Sequence, residues 1–429
     1  MAKSTIKSLK NDVIYCVYVR NYGENGKFKD VESDLERIKN LGVDIIWLMP
    51  INEIGDKNKK GELGCPYAIK NYRKINPEYG TLDDFKELLD RIHELGMKCI
   101  IDVVFNHTSP DSNLVEEHPE FFYKNAVGEF ANKIGDWSDV IDLDYSNMNL
   151  WTSQIATLKY WASLGVDGFR CDVAPLIPID FWIRARKEVS YINENLIWLA
   201  ESVHPSFIKE LRKNGLVAHS DSEIYQAFDI TYDYDVNLEF RNYLEGKGTL
   251  KDYINKLQQQ EVIYPENYVK LRFLENHDQP RAKKIIPNLD KLKLWTEFMY
   301  FQKGTSLIYN GQEALEENTP SLFEIDKINF NNINEEMVSL FKKLYEIKKN
   351  NLVTDGFYNI ELIDNTEVVV ISYTLNNKKL LGVFNFGNQD NEILLNIEDG
   401  EYTNLLDDSK VEVINGAIRI GNSAKIIEI

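Results

Sequence analysis

The stretch GVDGFRCDVAPLIP, residues 165–178, places Arg170 and Asp172 two positions apart in a largely apolar run. If the stretch is a β-strand, both side chains point to the same face, because neighbouring side chains alternate. Buried charges are costly unless they are paired and hydrogen-bonded. Two interpretations therefore compete: a structural ion pair inside a core, or the end of a strand that opens into an active site.

Short apolar segments alternate with amphipathic helical patterns on both sides of this stretch, up to about residue 345. The predicted strands are DVIYCVYV (12–19), VDIIWLMPI (43–51), MKCIIDVVFNH (97–107), GVDGFRCDV (165–173), NLIWLAESV (195–203), EIYQAFDI (223–230), YVKLRFLENH (268–277) and TSLIYNG (305–311). Apolar strands between helices indicate a buried parallel sheet. Eight such units predict an α/β fold, the (β/α)₈ TIM barrel. A doubly wound open sheet is the alternative, but no G-x-G-x-x-G follows the first strand.

Two regions break the alternation. Residues 108–145 are rich in aromatic side chains and have no sustained helical period, and they follow the third predicted strand. Loops longer than about 12–15 residues are usually functional, so we expect this insertion to lie over the active site. From about residue 355 only strand patterns occur. We predict a barrel of residues 1–107 and 146–350, a short insertion at 108–145, and an antiparallel, β-sandwich-like domain at 351–429.

Composition limits the partners of this 429-residue chain. Its net charge of −19 argues against nucleic acid and anionic membranes, which bind clustered lysines and arginines, and favours a neutral substrate. The N-terminal sequence has no apolar run followed by a small-residue cleavage site, and no segment has the about 18–20 apolar residues that span a bilayer. The four cysteines form no CxxC pair. We therefore expect a cytoplasmic protein without a signal peptide; the oligomeric state stays open.

Polar side chains gather where four predicted strands end. They are Asp102, Asn106 and His107 on the third strand, Arg170 and Asp172 on the fourth, Glu201 on the fifth, and Glu275, His277 and Asp278 on the seventh. A structural ion pair would explain any one of these sets. It does not explain why all of them lie at the C-terminal ends, where barrel enzymes place their catalytic residues. The sequence therefore predicts an active site.

The carboxylates of this site suggest chemistry on a neutral sugar. Retaining glycoside hydrolysis needs two carboxyl groups about 5–5.5 Å apart, one ionised and one protonated. Arg170 would favour the ionised form of Asp172, and the apolar surroundings of Glu201 in IWLAES would raise its pKa.

The motifs DVVFNH, GFRCD, AES and ENHD, in this order at strand ends, resemble the four signature regions of the α-amylase family, glycoside hydrolase family 13. CPYAIKNYRKINPEYGTLDDF, DLDY and SLIYNGQE resemble further family segments, so the similarity extends over nearly the whole chain. The resemblance implies that Asp172 is the nucleophile, Glu201 the general acid/base, and Asp278 the carboxylate that holds the sugar's 2- and 3-hydroxyls.

The resemblance also implies substrate-binding residues. They are Arg170, which keeps the nucleophile ionised, His107 and His277, which bind sugar hydroxyls, and Tyr67, on which the sugar stacks. Asp102 is expected to be a structural partner. No cofactor is expected to be required. Asn106 and Asp142 match side chains that hold calcium in many members, whereas Leu176 replaces the usual histidine, so a structural calcium ion is left open.

The function that the resemblance implies is retaining hydrolysis of α-1,4-glucosidic bonds in starch, glycogen or maltodextrins, with an α-glucan or maltooligosaccharide as substrate. A glucanotransferase, an α-glucosidase or a glucosyl isomerase would use the same machinery, because they differ in the acceptor or the linkage. A non-catalytic binding subunit is the alternative from another class. Endo or exo action and α-1,4 or α-1,6 preference stay open.

Overall fold

A closed barrel of eight parallel strands forms the centre of the computed structural model, which describes residues 5–134, 137–387, 389–395 and 397–429. The strands from the N-terminus to the last barrel strand are β1 (Val13–Val17), β2 (Ile45–Leu48), β3 (Asn52–Ile54), β4 (Ile69–Ile75), β5 (Lys98–Val103), β6 (His107–Thr108), β7 (Ile141–Asp142), β8 (Gly168–Cys171), β9 (Ile197–Ala200), β10 (Ile230–Tyr232), β11 (Val269–Arg272) and β12 (Thr305–Tyr309). Of these, β3 pairs with β4 and β6 with β7 in two small sheets outside the barrel. The barrel closes in the order β1-β12-β11-β10-β9-β8-β5-β2. The predicted TIM barrel is confirmed.

Most of the helices follow barrel strands and pack around them. They are α1 (Phe28–Asn40), α2 (Leu82–Glu94), α3 (Asn113–Glu117), α4 (Met148–Ser163), α5 (Ile179–Val189), α6 (Pro205–Lys213), α7 (Asp221–Ile224), α8 (Tyr234–Leu244), α9 (Leu250–Ile263), α10 (Ala282–Ile285), α11 (Leu289–Phe301), α12 (Glu335–Lys348) and α13 (Asn351–Asp355). The start of α2 is a capping box: Thr81 Oγ1 accepts the N–H of Asp84 at 3.1 Å, and Asp84 Oδ2 accepts the N–H of Thr81 at 2.8 Å.

The sixth barrel strand begins later than the sequence predicts. Residues 223–230 were expected to form it, but their first part belongs to α7 and the strand β10 starts only at Ile230. The reason is local. Ser220 and Glu223 form a second capping box, in which the N–H of Ser220 donates to Glu223 Oε2 at 2.7 Å, and this starts a helical turn.

The insertion after the third barrel strand is held by a short antiparallel pair, β6 with β7. Its end is tied to the barrel, because Tyr145 Oη donates to the carbonyl of Phe105 at 2.9 Å. The insertion therefore stands directly above the end of β5, next to the mouth of the barrel.

The C-terminal region contains two antiparallel sheets. Its strands are β13 (Phe357–Leu362), β14 (Val368–Leu375), β15 (Lys378–Asn385), β16 (Asn391–Leu394), β17 (Gly400–Thr403), β18 (Lys410–Ile414), β19 (Ala417–Ile420) and β20 (Ala424–Glu428). The sheet β13-β14-β15-β20 lies between the barrel and the sheet β16-β19-β18-β17. The antiparallel β region is thus confirmed, while the exact domain boundaries stay a prediction.

Both faces of the inner C-terminal sheet are covered. One face packs on the barrel helix α11, where Phe386 stacks on Trp295 with ring centroids 4.1 Å apart. On the other face, Val370 and Val383 join a separate apolar core with Val411 and Ile418 of the outer sheet. The inner sheet therefore connects the barrel to the rest of the C-terminal region.

The four cysteines are free and buried. Cys16, Cys99 and Cys171 lie in barrel strands with no exposed surface, and Cys65 is 9% exposed. Among the described residues, no helix is long and apolar enough to cross a membrane.

Candidate active site

A cavity of about 280 Å³ opens at the C-terminal ends of the barrel strands. Six of the seven predicted site residues line it: Tyr67, His107, Asp172, Glu201, His277 and Asp278. The seventh, Arg170, has no exposed surface and contacts the carboxylates from below. The structure therefore brings the seven predicted site residues together, whereas Asn106 and Glu275 do not line the cavity and Glu275 instead binds Arg281.

The Arg170 guanidinium is surrounded by three carboxyl groups. Its Nη1 donates to Asp102 Oδ1 and to Asp172 Oδ1, each at 2.9 Å. Its Nη2 lies 2.8 Å from Glu201 Oε2, at an angle that makes no hydrogen bond. Asp172 and Glu201 thus contact neighbouring nitrogens of one group, which makes them close neighbours, as a retaining pair must be.

Burial raises the pKa of Asp172 to about 6, although the Arg170 guanidinium acts in the opposite direction. The expected effect of the arginine is therefore present, but desolvation outweighs it. Burial, again opposed by the Arg170 guanidinium, also raises the pKa of Asp102 to about 6. Asp102 does not line the cavity; it binds Arg170 and accepts a hydrogen bond from Tyr67 Oη at 3.1 Å.

Burial also raises the pKa of Glu201, to about 8, against the attraction of Arg170 and with further help from the negative charge of Asp172. Glu201 Oε2 accepts the N–H of Val173 at 2.8 Å, which fixes the carboxyl group beside Asp172. A group that ionises near pH 6 beside one that stays protonated to about pH 8 can supply a nucleophile and an acid at neutral pH.

Val173 holds its position with a strained backbone. Its φ is +35°, in the left-handed region that β-branched residues avoid, and such strain costs about 1–3 kcal/mol. Val173 follows Asp172 directly and its N–H donates to Glu201, so the strained residue connects the two carboxyl groups.

Asp278 and His277 form a pair on the other side of the cavity. His277 Nε2 lies 3.0 Å from Asp278 Oδ2 and 2.8 Å from Tyr67 Oη. Burial acts to raise the pKa of Asp278, but the charge and hydrogen bond of His277 outweigh it and lower that pKa. The rings of Tyr67 and His277 stack at 5.6 Å. Asp278 is therefore ionised at neutral pH beside a flat aromatic surface.

His107 lies opposite, with its Nε2 3.9 Å from Asp172 Oδ2. Burial lowers the pKa of His107, so its ring is neutral at pH 7. Trp137 packs edge-on against it, with ring centroids 5.4 Å apart. A neutral imidazole in this position can donate or accept one hydrogen bond to a hydroxyl in the cavity.

The wall of the cavity was not predicted from the sequence. It consists of Lys60, Cys65, Trp137, Asp139, Val140, Val173 and Phe323. Most of these residues come from three loops, which have no periodic pattern. The aromatic richness of residues 108–145 is the one signal that points to this wall.

The surroundings of Asp142, one of the two side chains that match a calcium site, argue against a calcium ion. Asp142 Oδ2 accepts the N–H of Lys133 at 2.8 Å, and its buried Oδ1 has no partner among the described residues. The Lys133 ammonium donates to the carbonyl of Leu143 at 3.2 Å, which places a positive charge beside this carboxylate. Ca²⁺ takes six to eight oxygen ligands, so one free carboxylate oxygen next to an ammonium does not fit it. The expectation that no cofactor is required stays a prediction.

The chain matches two family models. The model described as "Alpha amylase, catalytic domain" matches residues 7–136 and 117–355, and the one described as "Bacterial Alpha amylase C-terminal domain" matches residues 359–427. Together these matches cover the barrel, the insertion and the C-terminal sheets.

Solved structures and a curated relative agree with this match. An α-amylase from Lactobacillus plantarum is 48% identical, with a TM-score of 0.96 over 99% of this chain and 100% of that one. A noncanonic maltogenic α-amylase from Thermotoga neapolitana is 37% identical, with a TM-score of 0.87 over 98% and 99%. Alpha-amylase 3 from Dictyoglomus thermophilum is 25% identical over 96% of this chain and 86% of that protein.

Proposed function

Because this chain belongs to the α-amylase family of glycoside hydrolases, we propose that it cleaves α-1,4-glucosidic bonds in starch, glycogen or maltodextrins and retains the anomeric configuration. The observation that carries the proposal is the pair Asp172 and Glu201 on one guanidinium, with pKa values of about 6 and about 8. This difference supports Asp172 as the ionised group and Glu201 as the protonated group at pH 7.

In the proposed first step, the Asp172 carboxylate attacks the anomeric carbon while Glu201 gives its proton to the glycosidic oxygen. The bond between that carbon and the leaving sugar breaks, and a covalent glycosyl-enzyme remains. In the second step, Glu201 takes a proton from water, the water oxygen attacks the anomeric carbon, and Asp172 leaves as a carboxylate. Two inversions give net retention.

The other cavity residues bind the sugar in this proposal. The stacked pair Tyr67 and His277 offers an aromatic face to the ring, as sugar sites commonly do. Asp278, ionised and 37% exposed, accepts hydrogen bonds from two adjacent hydroxyls. Arg170 favours the charged form of Asp172, because its charge is the strongest of the influences that oppose burial and lower the pKa of this carboxyl group.

The test is a product time course on maltoheptaose, with the anomeric form of the first product followed by NMR. We expect α-anomers first. A first product in the β-form would contradict a retaining mechanism, and products longer than the substrate would show that a sugar hydroxyl rather than water is the acceptor. Parallel reactions on pullulan, isomaltose and sucrose separate the α-glucosidase and isomerase alternatives.

The variant Asp172→Asn tests the assignment of the nucleophile. Asparagine keeps the shape and can still accept from Arg170, so we expect a normal fold by circular dichroism. Because the amide cannot form the glycosyl ester, kcat should fall by several orders of magnitude. Activity close to that of the wild type would refute this role.

We further propose a cytoplasmic enzyme of starch or glycogen degradation. Four free, buried cysteines support a reducing compartment, because secreted proteins more often pair their thiols.

A further inference from the structure

An ion pair bridges two of the loops that surround the cavity. Lys60 Nζ lies 2.8 Å from Asp139 Oδ1, and both side chains line the cavity. Lys60 belongs to the loop between β3 and β4, and Asp139 belongs to the insertion. The Asp139 side chain is only 6% exposed, so this is a largely buried carboxylate rather than a surface charge.

The order of the barrel strands shows on which side of the cavity Lys60 stands. Glu201 follows β9, the fifth strand of the barrel, whereas Lys60 follows the second strand and Phe323 follows the eighth. The fifth strand is opposite the first, which lies between the eighth and the second. Lys60 and Phe323 therefore rise on the side of the mouth that faces Glu201.

That position identifies the part of the substrate that meets Lys60. The acid must contact the glycosidic oxygen, so the leaving sugar lies on the side of Glu201. The sugars on the non-reducing side of the bond then extend away from Glu201, toward Lys60 and Phe323. The whole cavity, of about 280 Å³, is slightly smaller than the about 300–1,000 Å³ of small-molecule sites, which favours a short saccharide.

The loop that carries Lys60 is fixed rather than free. The buried Arg20 donates through Nη1 to the carbonyls of Gly64 at 2.8 Å and Leu322 at 3.0 Å, and so ties this loop to the loop after the eighth strand. The N–H of Leu63 donates to the carbonyl of Phe323 at 3.2 Å. The Lys60–Asp139 pair adds the connection to the insertion, so the three loops form one continuous wall.

We propose that the Lys60–Asp139 pair closes the non-reducing side of the active site and binds the hydroxyls of the chain's terminal glucose, so that the enzyme removes short units from non-reducing ends. This inference rests on the proposed α-1,4 hydrolysis. An ammonium carries three N–H donors, and Asp139 uses one of them, so two remain for hydroxyl oxygens. An internal glucose would have to extend its chain through the wall.

The experiment compares maltoheptaose labelled at its reducing end with the same substrate blocked at O4 and O6 of the non-reducing glucose by an ethylidene acetal. For the wild type, we expect kcat/KM to be at least about tenfold lower on the blocked substrate, because the acetal removes two hydroxyls and adds bulk at the wall. For Lys60→Ala, we expect the two substrates to differ by less than about threefold, with more cleavage at internal bonds.

Two further variants separate the pair from a general loop effect. Lys60→Arg keeps the charge and should retain the wild-type preference. Lys59→Ala removes a neighbouring lysine of the same loop that pairs with Asp56 and does not line the cavity, so it should leave the preference unchanged.

The outcomes distinguish this inference from the function on which it rests. If the wild type does not cleave unblocked maltoheptaose, the proposed function fails and the inference with it. If the wild type cleaves both substrates equally well, or if Lys60→Ala remains active with the wild-type preference, only the inference is overturned.

Discussion

At the scale of single residues, the site depends on a charge imbalance around Arg170. One guanidinium faces Asp102, Asp172 and Glu201, so it cannot neutralise all three. Because an unpaired buried carboxylate is expensive, at least one of the three must keep its proton at neutral pH. Glu201 has the highest pKa of the three and therefore is the one that keeps it.

The pH dependence of kcat/KM follows from this order of ionisation. Asp172 must be charged, so activity should rise with pH through about 6; Glu201 must be protonated, so activity should fall through about 8. The expected profile is a bell with its maximum near pH 7. Measurements on Glu201→Gln with an activated aryl maltoside, whose leaving group needs no proton, should keep the acid limb and lose the alkaline limb. An alkaline limb that survives this change would exclude Glu201 as its source.

Six of the seven site residues could be predicted because each belongs to a short motif at the end of a strand. Tyr67, which lies in the loop before β4, was predicted only from the resemblance of its segment to the family. Alternation placed Arg170 and Asp172 on one face, and the barrel brought the strand ends together. Lys60 and Asp139 could not be predicted in this way. They lie almost 80 positions apart in two irregular loops, and only the loop conformations bring an ordinary lysine next to an ordinary aspartate.

At the scale of elements, side-chain capping explains where α2 and α7 begin. Thr81 and Asp84 form a capping box, and α2 begins directly after Thr81. The box of Ser220 and Glu223 starts α7, so Glu223 and Ile224, which were predicted to begin a strand, lie in a helical turn instead.

Removing the first of these caps should cost stability and leave activity intact. Thr81→Ala loses one bond of the box to the N–H of Asp84, so the free energy of unfolding should decrease by about 0.5–2 kcal/mol. Urea denaturation followed by circular dichroism measures this change. Thr152→Ala, at an exposed position inside α4, is the matched control and should change stability by less than about 0.5 kcal/mol. Equal effects of the two substitutions would show that the cap contributes nothing.

At the scale of the whole molecule, the inner C-terminal sheet packs against the outside of the barrel. Phe386 of the link after β15 stacks on Trp295 and packs edge-on against Phe298 of α11, with ring centroids 5.2 Å apart. This contact lies at the outside of the barrel and not at its mouth. It should therefore govern stability rather than catalysis.

Phe386→Ala tests this separation. Deleting a buried phenyl ring costs about 3–5 kcal/mol, so the midpoint of thermal unfolding should fall clearly, while kcat on maltoheptaose at 25 °C should stay within about twofold of the wild type. The control is Phe357→Ala, because Phe357 is 76% exposed and its loss should be almost neutral. A tenfold loss of kcat in folded Phe386→Ala protein would mean that the C-terminal sheets also shape the site.

Because of where the cysteine thiols lie, their labelling can report on opening of the barrel. Cys16, Cys99 and Cys171 are sealed in three different barrel strands, so a thiol reagent can label them only when the barrel separates. Their labelling rates would measure the free energy of that opening strand by strand. Cys65 stands apart, because it lines the cavity and burial raises its pKa to about 12. The rate at which Cys65 is labelled would instead report whether a sugar occupies the cavity.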